Sequence, residues 1–498
     1  MRKRALSIIL AASMITALFA GCGSSTGTGK VTEREFLMTA EAEDGVVTTG
    51  NTYATLARGV SGTGYVTGFT TAGERATITV DIPEDGHYDL VFSILSTSGS
   101  YKENYVYLDG TQLGTVSCES KEFTDAEYNR VYMSAGSHEI TLEAYWGYIN
   151  WDKVDIYKSA SLPFNIYEVS AELSNPNASD NAKRLMSYLT DIYGEYILSG
   201  QYADGGLGSW EVYRVKENNG GNTPAVIGLE MGHLCQTGVD NDFTHPSVSS
   251  AIQVWEQGGI VTMCYHWLAP EKYCTGIWWN GFRAEAVNMP LEKIMNGEDE
   301  EGMQLLLNDI KILAEGLQEL EDAGVPVLWR PLHEASGGWF WWGESGAEAY
   351  KKLYILMYDQ LTNVYGLDNL IWVWNGQDEE WYPGDEYVDI IATDIYPGEQ
   401  EYSSHIADYM ELYSWLGDTN KLIALSENGT MPDVEACVRD GAMWSFFCTW
   451  EGEFVINDYN DYSEQYTDKE MLYSIYNNEK VLNMEDLPDL TTYKIKNK

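Results

Sequence analysis

Eight short apolar segments, separated by stretches with helical patterning, limit the possible folds of this chain more than any other feature. They cover residues 196–200, 225–230, 259–265, 327–334, 370–375, 388–396, 421–427 and 443–450. Between the third and fourth segments, apolar residues from Leu305 to Leu320 recur at intervals of three and four, and Gly324 ends the predicted helix. Strands that alternate with helices in this way are typical of a (β/α)8 barrel. We therefore predict an α/β TIM barrel over residues 176–490.

Two of these predicted strands end in a carboxylate. Glu334 closes the fourth segment and Glu427 closes the seventh. Active sites of TIM barrels lie at the carboxyl ends of the strands, so both side chains should face one cavity. Cleavage of a glycosidic bond normally uses two carboxyl groups that flank the bond. The pattern therefore predicts a glycoside hydrolase with Glu334 and Glu427 as its catalytic residues.

Aromatic residues follow Glu334 at once. Trp339, Trp341 and Trp342 can form apolar walls against which a sugar ring stacks. Such walls disfavour the charged form of a carboxylic acid and raise its pKa, so that the acid stays protonated near neutral pH. Trp372 and Trp374, on the fifth strand, are equally consistent with filling of the barrel interior.

Residues 36–158 have a different pattern. Apolar and polar residues alternate from Ala76 to Ile82, from Tyr88 to Ile94 and from Ile140 to Trp146. Turn-forming Asp-Gly pairs separate such runs. We predict an all-β jelly-roll sandwich here, joined to the barrel by a connector at residues 159–175, so that the chain is multidomain.

The first residues are typical of an export signal. Basic residues at positions 2–4 precede an apolar run that ends near Ala20. The segment from Leu18 to Cys22 resembles a bacterial lipoprotein signal, which implies lipidation of Cys22, although Phe19 replaces the usual smaller residue. We expect a signal peptide over residues 1–22, a flexible linker over 23–35 and a bacterial cell-surface location. An ordinary signal peptide that contains a cysteine is the alternative.

Charge limits the possible partners. Acidic residues outnumber basic ones 76 to 30, which gives a net charge of −46. This balance argues against nucleic acid and leaves a neutral polysaccharide as a suitable partner. We interpret the six cysteines after Cys22 mainly as buried apolar residues. A disulfide between Cys264 and Cys274 stays open as an alternative. We expect a monomer that meets the membrane only through a lipid anchor.

The segment from Trp329 to Gly343 carries a family resemblance. His333 stands where most retaining barrel glycosidases have asparagine before the catalytic acid, and this motif resembles glycoside hydrolase family 26. The resemblance implies a retaining endo-β-1,4-mannanase in which Glu334 is the general acid/base and Glu427 the nucleophile, with no catalytic cofactor. Asn428 departs from the threonine that is usual after the nucleophile, which leaves the subfamily open.

The same resemblance implies further sugar-binding positions. They match one at a time and are His266, Trp278 or Trp279, His333, Trp339, Tyr396 and Trp450. Related barrels cleave β-1,3-1,4-glucan or β-1,3-xylan, so these activities stay open as alternatives. A non-catalytic surface lipoprotein that binds glycans is the remaining alternative.

The predicted sandwich resembles carbohydrate-binding modules of family 35. Three segments carry the resemblance, at residues 40–43, 59–65 and 150–155. It implies a structural calcium ion, for which Glu41, Glu43 and Asp152 supply the hard oxygen ligands that calcium prefers. Trp146 and Asn150 are the candidates for sugar contact in this module, and Trp146 could equally belong to the core.

Overall fold

A computed structural model describes residues 33–48, 51–54, 59–417 and 419–496. Cys22, the predicted signal peptide and almost all of the predicted linker lie outside these residues. Among the described helices, none is both long and apolar enough to cross a membrane.

The N-terminal part folds as two antiparallel sheets that face each other. One sheet has the order β3-β4-β11-β6-β9, with β1 also paired to β11, and the other has the order β2-β5-β10-β7-β8. Its strands are β1 (Glu35–Glu41), β2 (Val46–Val47), β3 (Thr52–Ala54), β4 (Tyr65–Thr67), β5 (Arg75–Ile82), β6 (Gly86–Ser96), β7 (Lys102–Leu108), β8 (Thr111–Cys118), β9 (Thr124–Met133), β10 (Gly136–Ala144) and β11 (Ile149–Lys158).

The alternating pattern of the sequence accounts for the core of this sandwich. Ile78 on β5 lies opposite Ile140 on β10, and both side chains are buried. Trp151 of the other sheet is fully buried and packs against Phe92. Because successive strand residues point to opposite faces, one apolar set from each sheet meets in the middle.

The C-terminal part contains a closed parallel barrel of eight strands, as predicted. The barrel strands are β13 (Gly200–Tyr202), β14 (Val226–Glu230), β15 (Ile260–Tyr265), β16 (Val327–Pro331), β17 (Leu370–Trp374), β18 (Ile390–Ile395), β19 (Leu422–Asn428) and β20 (Phe447–Thr449), and outside the barrel β12 (Ile197–Leu198) pairs with β21 (Val481–Leu482). The helices are α1 (Asp180–Ile192), α2 (Trp210–Asn218), α3 (Gln236–Asp240), α4 (Ser247–Glu256), α5 (Leu291–Met295), α6 (Glu300–Asp322), α7 (Ala347–Tyr358), α8 (Ile406–Trp415), α9 (Val434–Asp440) and α10 (Lys469–Tyr476).

The first barrel strand differs from its predicted position at 196–200. Residues 197 and 198 pair with β21, and Ser199 donates its backbone N–H to Leu482 at 3.1 Å. The barrel strand begins only at Gly200, where a Cβ atom would lie 2.3 Å from the carbonyl oxygen of Phe447. Glycine at this position therefore lets the first strand approach the eighth and close the barrel.

Several apolar residues that could have served the site belong to the core instead. Trp372 and Trp374 are fully buried, and Trp372 packs against Tyr354 and Tyr358 of α7.

All six cysteines of the described residues are free thiols, so Cys264 and Cys274 are not paired.

The sandwich contacts the barrel through helices α8 and α9 and strand β9. His87 lies 3.0 Å from Asp440, which also accepts a hydrogen bond from Ser404 at 2.6 Å. The Arg439 guanidinium lies over the ring of Tyr132, 4.5 Å from its centroid. These contacts place the sandwich beside the sixth and seventh strands of the barrel.

Candidate active site

A cavity of about 730 Å³ lies at the carboxyl ends of the barrel strands. Glu334 and Glu427 both line it. Residues at or just beyond the ends of other strands complete the lining, among them Tyr202, Glu230, His266, Gln377, Tyr396 and Trp450. The fold thus brings the two predicted catalytic carboxyls into one site.

Glu334 lies in a strained turn just after β16. Leu332 and Glu334 both have left-handed backbones, with φ of 53° and 52°. Such a residue costs roughly 1–3 kcal/mol and persists only where its surroundings hold it. The Glu334 backbone N–H donates to the backbone oxygen of Asn375 at 2.8 Å and to its Oδ1 at 3.0 Å. The turn leaves the carboxyl in the cavity, where Trp339 Nε1 donates to Oε2 at 2.8 Å.

Glu427 lies near the end of β19, where the pairing with both β18 and β20 shifts register, and it is almost fully buried. One carboxylate oxygen accepts a hydrogen bond from the Arg330 guanidinium, and the other accepts one from the Tyr396 hydroxyl. A buried carboxylate with a cationic partner and a hydroxyl donor is stabilised in its charged form. These contacts suit a carboxylate that attacks as an anion.

The separation of the carboxyls bears on the reaction type. One oxygen from each of Glu334, Asp394 and Glu427 lies within 4.8 Å of the other two. Retaining glycosidases have catalytic carboxyls about 5–5.5 Å apart, whereas inverting enzymes need about 6.5–9.5 Å to admit a water. The site therefore has the geometry of double displacement.

Protonation differs between the two carboxyls. Burial and the nearby Asp394 raise the pKa of Glu334 to about 7. Burial, Asp394 and Glu334 raise the pKa of Glu427 to about 8, whereas the Arg330 guanidinium and the Tyr396 hydroxyl lower it. The two carboxyls titrate as a coupled pair, and we place their shared proton on Glu334 because only Glu427 has a direct cationic partner. Glu334 is thus placed to act as the acid and Glu427 as the nucleophile.

A buried charge network, which the sequence reasoning did not identify, supports Glu427. Arg330 is completely buried on β16 and donates to Asp394 on β18 at 2.9 Å as well as to Glu427. Asp394 also accepts a hydrogen bond from Ser426 at 2.7 Å. A charged residue in the middle of an apolar strand was the available signal, because a buried charge needs a partner.

Two histidines form a second network on the other side of the cavity. His266 Nδ1 lies 2.5 Å from Glu230, and His266 Nε2 lies 3.3 Å from Nε2 of His333. Burial opposes the charged form of His266, yet the Glu230 carboxylate raises its pKa. Burial, the Arg330 charge and His266 lower the pKa of His333 well below its ordinary value. His333 is thus a neutral, fully packed residue beside the catalytic acid.

The structure separates the predicted aromatic residues into two groups. Trp279, Trp339 and Trp450 line the cavity, and Trp279 is 55% exposed. Trp278 instead packs partly buried against Phe243, which distinguishes the two neighbouring tryptophans.

The expectation that Trp341 and Trp342 wall the acid was wrong. Both are buried behind the site, where their indole N–H groups donate to the backbone oxygens of Trp267 at 2.7 Å and His333 at 2.9 Å. Phe340 takes their place in the cavity wall. The turn at Gly338, with φ of 72°, reverses the chain, so that sequence order did not show which rings face the cavity.

In the sandwich, Trp146 is exposed and does not join the core. Its ring is 48% accessible and meets the edge of Tyr101 at a centroid distance of 5.6 Å. Asn150 is half-buried on β11, and its Oδ1 accepts a hydrogen bond from Thr67 at 2.6 Å.

The three residues assigned to calcium surround one turn of the sandwich. Ser61 donates its backbone N–H to Asp152 at 3.1 Å and its hydroxyl to Glu41 at 2.6 Å, and Thr63 donates its N–H to Glu43 at 2.6 Å. Glu43 Oε2 is buried and has no hydrogen-bond partner among the described residues.

The orphaned oxygen of Glu43 and the neighbouring Glu41 and Asp152 are hard ligands of the kind that calcium prefers, but the three side chains do not bring oxygens within 4.8 Å of one another. Gly62 in the same turn has φ of 54°, and a Cβ atom there would lie 2.4 Å from Glu43. The turn therefore allows the carboxylates to approach the backbone.

An eight-stranded barrel with two close carboxyls at the ends of its fourth and seventh strands defines a retaining glycoside hydrolase. The sequence profile of Glycosyl hydrolase family 26 matches residues 174–486, and the chain belongs to this family. The profile of carbohydrate-binding module family 35 matches residues 38–159.

Characterised proteins support both assignments. The mannan endo-1,4-β-mannosidase of Thermothelomyces thermophilus is 35% identical over 453 residues, which cover 90% of each chain. Mannan endo-1,4-β-mannosidase B of Piromyces sp. is 32% identical over 463 residues, covering 90% of this chain and 77% of that one. The crystal structure of the Podospora anserina GH26-CBM35 β-(1,4)-mannanase aligns with a TM-score of 0.64 at 34% identity, covering 91% of this chain and 99% of that one.

Proposed function

We propose that this protein is a retaining endo-β-1,4-mannanase that cleaves internal bonds of mannan, glucomannan or galactomannan. The observation that carries the proposal is the pair formed by Glu334 and Glu427, with oxygens within 4.8 Å and with only Glu427 bonded to a guanidinium. The protein belongs to family 26 and is similar to a mannanase over nine-tenths of its chain. Both findings support mannan as the substrate over β-1,3-1,4-glucan or β-1,3-xylan.

The first step forms a covalent intermediate. The Glu427 carboxylate attacks the anomeric carbon, the glycosidic C–O bond breaks, and Glu334 gives its proton to the departing oxygen. The Tyr396 hydroxyl and the Arg330 guanidinium orient Glu427 for this attack. Trp450 and His266 line the cavity beside the reacting carbon and are placed to position the sugar.

The second step reverses the proton movement. The ester neutralises the charge of Glu427, so the pKa of Glu334 falls and its carboxylate can accept a proton from water. That water attacks the anomeric carbon from the face of the departed sugar, and the ester bond breaks. Two inversions give net retention.

Side-by-side hydrolysis of glucomannan, galactomannan, lichenan and β-1,3-xylan tests the proposal. We expect cleavage of the two mannans to oligosaccharides of mixed length, with β-configured reducing ends in NMR spectra of fresh digests. Preferential hydrolysis of lichenan or xylan would change the substrate, α-configured products would refute the mechanism, and glycan binding without cleavage would favour a non-catalytic lipoprotein.

We also propose that Glu41, Glu43 and Asp152 hold a structural calcium ion in a sandwich whose Trp146 and Asn150 contact sugar. The buried, unpartnered oxygen of Glu43 supports the calcium assignment. Removal of calcium with EGTA should lower the unfolding temperature of the intact protein, and Ca²⁺ should restore it. Equal unfolding temperatures with and without Ca²⁺ would contradict the calcium site.

We further propose that the mature protein is a monomer anchored to the surface of a bacterium through a lipid on Cys22. The apolar run and the segment from Leu18 to Cys22 support this proposal. Labelled palmitate should be incorporated by the wild-type protein and not by Cys22→Ser, which should be released into the medium. Release of both proteins without label would favour an ordinary signal peptide.

A further inference from the structure

A second, larger cavity lies between the sandwich and the barrel. Its volume is about 1610 Å³. Gln377, Asp394 and Tyr396 line both this cleft and the catalytic cavity. The two cavities therefore adjoin at these three residues, on the side of the fifth and sixth barrel strands.

The sandwich presents an aromatic surface to the cleft. Tyr105 on β7 and Tyr145, just after β10, both line it. Their rings stack with centroids 4.6 Å apart and an interplanar angle of 26°. Tyr145 remains 46% exposed, although it lies between two domains. Tyr105 is half-buried and supports the exposed ring of Tyr145, which offers an apolar face and a hydroxyl tip of the kind that suits a sugar.

The remaining lining fits a neutral polymer of hydroxyl groups. Uncharged polar groups come from the sandwich strand β8, where Gln112, Thr115 and Ser117 line the cleft. Carboxylates outnumber cations in the rest of the lining, because the barrel adds Glu399 and Glu411 and the sandwich adds Glu103 and Glu127 beside Arg34 and Arg130. Carboxylates accept hydrogen bonds from sugar hydroxyls and repel anionic chains, so this surface selects against polyuronates.

We propose that one arm of the polysaccharide cut at Glu334 and Glu427 leaves the catalytic cavity past Tyr396 and lies in the interdomain cleft against Tyr145 and Tyr105. The sandwich thereby extends the substrate-binding cleft of the barrel, in addition to any separate sugar site at Trp146. The inference rests on the proposed function, because it takes the occupant to be the neutral β-1,4-linked substrate. Its support is that Gln377, Asp394 and Tyr396 line both cavities, and that the exposed Tyr145 lines the interdomain one.

This arrangement has a length-dependent consequence. A short oligosaccharide fills the catalytic cavity without reaching the sandwich, whereas a longer one contacts both domains. Loss of the tyrosine surface should therefore lower kcat/KM only for long substrates.

The test compares Tyr145→Ala with wild type on a series of β-1,4-manno-oligosaccharides of increasing length and on soluble galactomannan. We expect the ratio of kcat/KM for the longest over the shortest cleaved substrate to fall about fivefold, the size of one lost aromatic contact. Tyr145→Trp should restore the ratio, because it keeps a stacking surface. Tyr53→Ala is the matched control, since Tyr53 is a sandwich residue of similar exposure, 49%, that lines neither cavity.

The outcomes separate the inference from the proposed function. If wild type cleaves the mannan series but Tyr145→Ala keeps the wild-type ratio, the interdomain assignment is overturned while the enzyme assignment stands. An equal loss at every length, or the same fall in Tyr53→Ala, would also overturn it, because a general folding defect explains either result. If wild type cleaves no mannan chain of any length, the proposed function itself fails.

Discussion

The ends of the fourth and seventh barrel strands each present a glutamate to one cavity, but they build its surroundings in opposite ways. Glu427 lies within strand β19, at a shift in its pairing register, and binds a buried guanidinium and a tyrosine hydroxyl. Glu334 lies beyond its strand in a left-handed turn and accepts a hydrogen bond from the Trp339 indole. The same side chain therefore becomes a nucleophile in one place and an acid in the other, because its local partners differ.

Replacement of Glu427, the nucleophile, should have the largest effect on activity. Glu427→Ala removes the attacking atom, so kcat on mannan should fall on the order of 10⁴-fold or more. Binding of the polysaccharide, measured by calorimetry or affinity electrophoresis, should persist because the walls of the cavity remain. Turnover near the wild-type rate would end the assignment of Glu427.

Replacement of Glu334 tests the acid end. Glu334→Ala should lower kcat on mannan by about 10²–10⁴-fold, the usual contribution of a general acid/base. On an aryl glycoside with a good leaving group, the first step needs no acid, so the variant should accumulate the ester intermediate. Added azide can attack that ester without a base, and the rate should recover with formation of a β-glycosyl azide. If azide leaves the rate unchanged, Glu334 does not have this role.

Arg330 is the cation that bonds directly to Glu427 and not to Glu334. Arg330→Met leaves Glu427 and Asp394 buried without their cation, so we expect an activity loss on the order of 10²-fold and destabilisation of about 3–5 kcal/mol. The Arg330 charge lowers the pKa of Glu427, so its loss raises that pKa. Since the nucleophile must be ionised, the acid limb of the kcat/KM profile should move to higher pH.

Arg330→Lys is the control for this prediction, because it keeps the positive charge and loses only the forked geometry. Its acid limb should lie between those of wild type and Arg330→Met. An acid limb that stays at the wild-type pH in Arg330→Met would show that the guanidinium does not set the ionisation of Glu427.

The sequence predicted the barrel and both catalytic carboxyls because these depend on local pattern. A short apolar run that ends in Glu334 or Glu427 indicates by itself where the strand ends and which side chain is exposed there. The contacts of Arg330 with Asp394 and Glu427 depend on closure of the barrel, which brings residues from strands β16, β18 and β19 together. No spacing along the chain encodes that meeting.

The same limit explains the aromatic residues and the first strand. Trp339 and Trp341 lie two positions apart, yet only Trp339 faces the cavity, because the turn between them has no regular period. The first barrel strand begins at Gly200 because residues 197–198 pair with β21, a partner almost 300 positions away. Local patterning shows that a strand is present, but partners far away in the sequence determine where that strand begins and ends.

Replacement of Trp339 should have the smallest and most selective effect, because Trp339 contacts only one of the two catalytic carboxyls. Trp339→Phe keeps an aromatic wall but removes the hydrogen bond to Glu334, a bond that lowers the pKa of this acid. Its loss should raise the pKa of Glu334 above its value of about 7 and move the alkaline limb of kcat/KM to higher pH. The acid limb, which reports Glu427, should stay in place, and the maximal rate should change only a few-fold.

The two substitutions thus act on opposite limbs of one profile. Arg330→Met should move the acid limb more than the alkaline limb, because Arg330 bonds Glu427 directly but also lowers the pKa of Glu334, and Trp339→Phe should move mainly the alkaline limb. If either variant moves both limbs by the same amount, the two pKa values belong to the pair and not to either carboxyl. Their distinct roles would then have to arise when substrate binds, because the resting contacts at the ends of strands four and seven would not separate them.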